Sequence, residues 1–171
     1  NLLFAQNLAR AFVSAVYKKT GKKNPTIAVG FDARISSPSI ADHVCAGLNE
    51  SGADSIRLGL VTSPVAYYST FALEQVDGAI MITGSHNPPE YNGFKLSIGK
   101  STIYGEAIKQ LETIILDKDY LTGAGKDSSF DIFPSYLERY KKEFGDLKNV
   151  PVVLDCGNGA GGIIARRLYE A

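Results

Sequence analysis

One stretch of the 171-residue sequence gathers side chains capable of chemistry: Thr83-Gly84-Ser85-His86-Asn87-Pro88-Pro89-Glu90-Tyr91-Asn92-Gly93-Phe94-Lys95. Ser85 offers a nucleophilic hydroxyl, Lys95 a cation and His86 an imidazole. Gly84 permits tight backbone geometry, and Asn87-Pro88-Pro89 stiffens the segment. A stiff loop holding a reactive hydroxyl suits phosphoryl transfer, in which positioning supplies much of the rate. The plainer reading is a serine that is only a loop residue. Neighbours in an extended loop point apart, so His86 is a poor general base for Ser85. A hydrolase triad would need a second histidine, and His43 falls at a lateral position of a helix.

The elements that must position these groups can be read from the apolar pattern. Gly78–Thr83 is a buried strand, so Ser85 is expected in the loop at its carboxyl end, where ligands bind in open α/β sheets. Phe94, Leu96 and Ile98 alternate with Lys95 and Ser97, the period of a half-buried strand. That alternation puts Lys95 on the face opposite Phe94 and Leu96, and the returning strand brings it back to the serine. Residues 1–20 carry a helical stripe that ends at Gly21. Thr26–Phe31 and residues 54–58 read as strands. Ser37 is expected to cap a helix that begins at Pro38 and closes at Gly52. Further helices are expected over 64–74, 105–117 and 134–144, and the polar, glycine-containing stretch 118–132 as a mobile loop.

The chain closes with an expected strand Val150–Asp155, a glycine-rich turn Gly157–Gly162 and a helix over 163–170. The alternation predicts an α/β fold, a layered sheet flanked by helices over residues 1–147. Residues 148–171 then read as the first βα unit of a second domain that is cut off. The sequence opens at Asn1 without a methionine and stops at Ala171 inside a helical pattern, so neither end reads as a natural boundary.

Composition narrows the partners. With 44% hydrophobic and 21% charged residues, the chain can build a core and is not disordered. Eighteen basic residues balance eighteen acidic ones, which argues against a nucleic-acid or membrane-surface binder and leaves room for a phosphorylated small molecule. Cys45 and Cys156, without a signal peptide, read as reduced thiols of a cytoplasmic protein. No Cys or His pair has the spacing of a structural zinc site. No apolar run approaches the roughly 18 residues of a membrane span.

Thr83–Leu96 resembles the phosphoserine loop of the phosphoglucomutase/phosphomannomutase family. Val29-Gly30-Phe31-Asp32-Ala33-Arg34-Ile35-Ser36-Ser37 is similar to its first-domain segment, Leu60-Val61-Thr62-Ser63-Pro64-Val65 to its next loop, and Val153-Leu154-Asp155-Cys156-Gly157-Asn158-Gly159 to the start of its second domain. The resemblance covers nearly the whole chain in the expected order. It implies an isomerase, an intramolecular phosphotransferase of carbohydrate metabolism that interconverts hexose 1-phosphate and hexose 6-phosphate through a hexose 1,6-bisphosphate. By that resemblance the phosphorylated serine is Ser85, whose phosphate also ligates Mg²⁺, and Lys95 acts as a charge clamp or as a general acid/base. A lysine base must shed its proton near neutral pH, which takes burial or nearby cations. His86 orients the phosphoserine or substrate, and Asn87 holds the loop or meets the sugar. Arg34 either approaches the substrate or braces the loops through a salt bridge.

Gly84 and the Pro-Pro-Glu-Tyr run resemble the glucose/mannose branch. The family's active-site arginine before Asn1, its Asp-rich Mg²⁺ loop, its sugar loop and its C-terminal phosphate loop all lie outside the 171 residues. The chain alone is therefore expected to be inactive. Two competing readings remain. Gly157-Asn158-Gly159-Ala160-Gly161-Gly162 fits G-x-G-x-x-G, the fingerprint of a dinucleotide-binding oxidoreductase. A non-catalytic module is the other, and the apolar positions Val152, Ile163 and Leu168, lacking partners, predict self-association.

Overall fold

The computed structural model describes residues 1–145 and 150–170. The domain boundary expected at 147/148 lies outside the described residues. In chain order the elements are α1 (Leu2–Thr20), β1 (Thr26–Phe31), α2 (Ser37–Glu50), β2 (Asp54–Leu60), α3 (Ser63–Ala72), β3 (Gly78–Ile82), β4 (Phe94–Ile98), β5 (Ser101–Thr102), α4 (Glu106–Asp117), β6 (Asp127–Ser129) and α5 (Phe133–Phe144). A 3₁₀ turn, Ala160–Ile163, and the short helix α6 (Ala165–Tyr169) follow.

The strands form one sheet in the order β5-β4-β3-β1-β2-β6. β1 runs parallel to both β2 and β3, and β4 returns antiparallel to β3. The central strands are apolar throughout because both faces are covered. Ile27, Val29, Ile80 and Ile82 meet α1, α2 and α4 on one side. Ala28, Ala79 and Met81, the alternate positions, meet Val65 and Ala66 of α3 on the other, with Tyr136 and Leu137 of α5 beside them. The result is three layers, helices–sheet–helices. The connection leaving β1 runs to one face and the connection leaving β2 to the other, so a crevice opens at their carboxyl ends.

Four local expectations are corrected. Helix α2 begins one residue earlier, with Ser36 at the cap position, and Ser37 is its first residue. The Ser37 hydroxyl is drawn away from capping because it donates to Asp32 Oδ1 at 2.7 Å.

The stretch 118–132 is not a free loop. It contains β6, parallel to β2, and is strapped down at both ends of its path. Ser14 Oγ donates to the Asp119 carbonyl and accepts from the Leu121 N–H, and Asn49 Nδ2 donates to the Lys126 carbonyl. Gly125 lies so close to the Ala53 carbonyl that a side chain could not be added there.

Val150–Asp155 forms no strand. Val150, Val152, Val153 and Leu154 are exposed, and among the described residues no neighbouring strand pairs with them.

The terminal helix is shorter than expected, and Ile163 and Leu168 do not lack partners. They pack with the buried Ile164 onto the cluster formed by α3 and α5. Of the three apolar positions expected to be orphaned, Val152 alone stays exposed.

Candidate active site

The feet of the Ser85 loop are fixed by the sheet. The Thr83 N–H donates to the Gly93 carbonyl at 2.9 Å, closing the β3–β4 connection, and the Asp32 N–H donates to the Ile82 carbonyl at 3.0 Å. The loop leaving β1 and the loop leaving β3 therefore start side by side. Within the Ser85 loop two turns form, with the Asn87 N–H on the Gly84 carbonyl and the Tyr91 N–H on the Pro88 carbonyl. Asn92 Nδ2 donates to the Ser36 and Ser37 hydroxyls, tying the far end of the loop to α2.

Arg34 fills the middle of this loop. Its Nη1 donates to the carbonyls of Pro88 (2.6 Å) and Tyr91 (3.0 Å), and its Nη2 to those of Ser85 (3.1 Å) and Asn87 (2.8 Å). Its Nε donates to Asp32 Oδ2 at 3.1 Å. A Cβ on Gly84 would fall 2.5 Å from the Arg34 Cζ, so the loop backbone rests directly against the guanidinium. Of the two roles open to Arg34, the geometry is that of a brace.

Asp32 is the anion of this assembly. Its burial disfavours charge, but hydrogen bonds from the Ser37 and Thr83 hydroxyls and the Arg34 backbone N–H, together with the Arg34 charge, outweigh that. They hold its carboxyl below the ordinary value. Thr83 passes the restraint on, since its Oγ1 accepts the Ser85 N–H at 2.9 Å.

Ser85 itself is exposed and has φ of 52°. A non-glycine residue in the left-handed region costs about 1–3 kcal/mol and persists only where its surroundings determine it. Here the determinants are named: Thr83 holds its N–H and Arg34 its carbonyl. The side chain borders a cavity of about 610 Å³ lined by Asp32–Ile35, Val61–Ser63, Met81, Thr83, Asn87, Pro89 and Gly157–Ala160. That cavity is the crevice between the β1 and β2 connections, extended by the glycine-rich turn.

Lys95 is half-buried on the α3 face of β4, opposite Met81 in the register, and its Nζ donates to Ser63 Oγ at 3.3 Å. Ser63 lines the cavity, so the ammonium approaches the same space that Ser85 borders. The side chains of His86 and Asn87 are exposed and have no hydrogen-bond partner among the described residues, although Asn87 lines the cavity. Ser85, Arg34 and Asn87 thus line one space, Lys95 is linked to it through Ser63, and the exposed His86 is not among the lining residues.

Sequence reasoning missed Asp32, Thr83 and Ser63. The signal for Asp32 was its position two residues before Arg34 at a strand end. Thr83 and Ser63 carried none, since their roles depend on neighbours remote in sequence.

The glycine-rich turn does not behave as a dinucleotide fingerprint. That motif needs a paired strand before it and a full helix after it. Here residues 150–155 pair with no strand among the described residues, and the glycines lead into a 3₁₀ turn and the five-residue α6. Gly157–Ala160 instead wall the Ser85 cavity.

Comparison with known proteins gives the same direction. The family described as "Phosphoglucomutase/phosphomannomutase, alpha/beta/alpha domain I" matches residues 1–121. A phosphomannomutase/phosphoglucomutase of Pseudomonas aeruginosa is 40% identical over 147 residues, covering 86% of this chain and 32% of its own length. A phosphoglucomutase of Neisseria meningitidis is 39% identical over 161 residues, covering 91% of this chain and 34% of its own. The crystal structure of a phosphoglucomutase/phosphomannomutase family protein from Burkholderia thailandensis superposes with a TM-score of 0.89 at 36% identity, covering 99% of this chain and 38% of that one. The chain thus spans about a third of the length of these curated relatives. With the match running through the whole Ser85 loop and most of the sheet, this chain belongs to the phosphoglucomutase/phosphomannomutase family.

Proposed function

We propose that this chain is the serine-bearing domain of a phosphohexomutase, an intramolecular phosphotransferase that interconverts hexose 1-phosphate and hexose 6-phosphate through phosphorylated Ser85 and a hexose 1,6-bisphosphate. The observation that carries this reading is a single exposed hydroxyl, held in a left-handed backbone conformation at the mouth of a cavity and clamped on both sides of its peptide. Such preorganisation is what phosphoryl transfer asks of a protein.

In the forward half-reaction the bond from phosphorus to Ser85 Oγ breaks as the bond to the free sugar hydroxyl forms. The proton lost by that hydroxyl is matched by the proton Ser85 regains. The bisphosphate then turns over in the site and returns its other phosphoryl group to Ser85. Lys95, beside Ser63 at the cavity, serves as charge clamp or as acid/base in that exchange, and Asn87 meets the sugar phosphate. His86 orients the phosphoryl group once it is in place. Arg34 has every N–H committed to the protein, which supports bracing over a direct contact with substrate.

Magnesium is part of this reading, with phosphorylated Ser85 as one ligand. The described residues do not themselves fit a divalent site, because no group of three or more His, Cys, Asp or Glu side chains among them could hold a metal. The two free thiols, Cys45 and Cys156, accord with a cytoplasmic setting, and among the described residues no helix is long and apolar enough to cross a membrane. Residues 148–171 are proposed to begin a second domain. The 171-residue chain alone is proposed to be inactive, and its unpaired Val150–Leu154 segment to promote self-association.

Incubation of the chain with glucose 1,6-bisphosphate and Mg²⁺, followed by mass spectrometry, tests the assignment. Phosphate is expected on Ser85 and absent from Ser85→Ala. Labelling at another residue, with Ser85 untouched, would refute it.

A further inference from the structure

We infer that Arg34 is the positioning residue for the Ser85 nucleophile, acting through the loop backbone on turnover and not on sugar-phosphate affinity. The inference deepens the reading of Ser85 as phosphoryl carrier and rests on it.

A guanidinium has five N–H donors in a fixed plane. All five are placed here, one on Asp32 and four on the carbonyls of Ser85, Asn87, Pro88 and Tyr91. None is left for a phosphate. The charge is also answered, by Asp32 at 3.1 Å, and both side chains are only 14% exposed. A residue so committed cannot reach a substrate without dismantling the loop.

The loop needs such a partner for a reason written in its sequence. Pro88 and Pro89 supply no N–H. The carbonyls of Ser85, Asn87, Pro88 and Tyr91 all face the guanidinium, and of the four only that of Pro88 also accepts one of the loop's two internal bonds, the other going to Gly84. One planar, multi-toothed cation satisfies all four at once. Lysine, with three donors on one atom, cannot span four separated carbonyls while lying flat against Gly84. The bond to the Ser85 carbonyl is the decisive one, because with the Ser85 N–H held by Thr83 it fixes both sides of a residue whose backbone is strained.

The test compares Arg34→Lys and Arg34→Ala with wild type. Amide hydrogen exchange at Ser85, Asn87 and Tyr91 is followed in the 171-residue chain, and kcat and KM are measured in the full-length protein. Exchange at the three amides is expected to rise at least roughly tenfold in both variants, with β1 and β3 unchanged. A misplacement of the nucleophile is expected to lower kcat about 10²-fold, and KM is expected to stay within about threefold. Millimolar guanidinium ion is expected to restore part of the kcat of Arg34→Ala, which a general loss of structure would not allow. Raised KM at unchanged kcat would make Arg34 a substrate ligand and overturn the inference, as would unaltered exchange in the loop. If Arg34→Ala fails to fold, Arg34→Lys decides alone. A full-length wild-type protein that takes no phosphate at Ser85 would remove the phosphotransfer reading, while the exchange data would still decide whether Arg34 holds the loop.

Discussion

Lys95 and Ser63 meet across the crevice: the ammonium of a strand residue reaches 3.3 Å from the hydroxyl of the first residue of α3. The contact ties a half-buried cation to the start of a helix whose first residue, Ser63, lines the cavity. If Lys95 acts on the transferring phosphoryl group, Lys95→Met lowers the rate of Ser85 phosphorylation about 10²–10³-fold. Ser63→Ala only releases the ammonium and keeps the rate within about threefold, because a neutral hydroxyl is a weak anchor. Phosphate incorporation followed over time by mass spectrometry separates the two.

Asp32 answers to four donors, from Ser37, Thr83 and both the backbone and side chain of Arg34. Asp32→Asn removes the only carboxylate on Arg34 among the described residues and turns one acceptor into a competing donor. The expected cost is about 1.5–3 kcal/mol of unfolding free energy, read from the urea midpoint at constant slope. Asp119→Asn, at an exposed pair with Lys18, is expected to cost under about 1 kcal/mol.

The same carboxylate sets an acid limit. Its folded-state value lies below the ordinary value, so it favours the folded state fully above the unfolded carboxyl value, about 3.9. That contribution is lost only as pH falls through the lowered folded value. Exchange protection at the Ser85 amide is therefore expected to be flat between about pH 8 and pH 5 and to decline below about pH 4.

Cys45 is 1% exposed, and burial pushes its thiol up to about 11. Cys156 is partly exposed, in the segment that leads into the glycine-rich turn. Brief treatment with iodoacetamide at neutral pH is expected to modify Cys156 and spare Cys45, as peptide mapping would show.

Ile164 is 3% exposed and packs on the α3–α5 cluster. Ile164→Ala is expected to destabilise the chain by about 2–4 kcal/mol. An effect below about 0.5 kcal/mol would mean that the terminal segment is not docked in solution.

The elements with strong apolar periods were legible: β1, β3 and the alternation that sends Lys95 away from Phe94 all follow from side-chain pattern. What escaped depends on partners far along the chain. β6 consists of Asp127, Ser128 and Ser129, a polar triplet that becomes a strand because β2 offers it hydrogen bonds and Arg57 holds Asp127. Ser37 looked like a cap, but Asp32 competes for its hydroxyl. Val150–Asp155 has the composition of a strand but no neighbour to pair with among the described residues. The site was legible as a loop and a nucleophile, not as a network. A guanidinium can choose among many carbonyls, and nothing in the spacing of Arg34 reveals that it selects those around Ser85.

The ends of the sheet carry a consequence for how this protein behaves at high concentration. Its outermost strands are β5, two residues long, and β6, three residues long, and all five positions are polar and solvent-facing. Such margins are too brief and too wet to template a neighbouring chain. On that ground the layered body resists growing sideways, strand upon strand, into fibres.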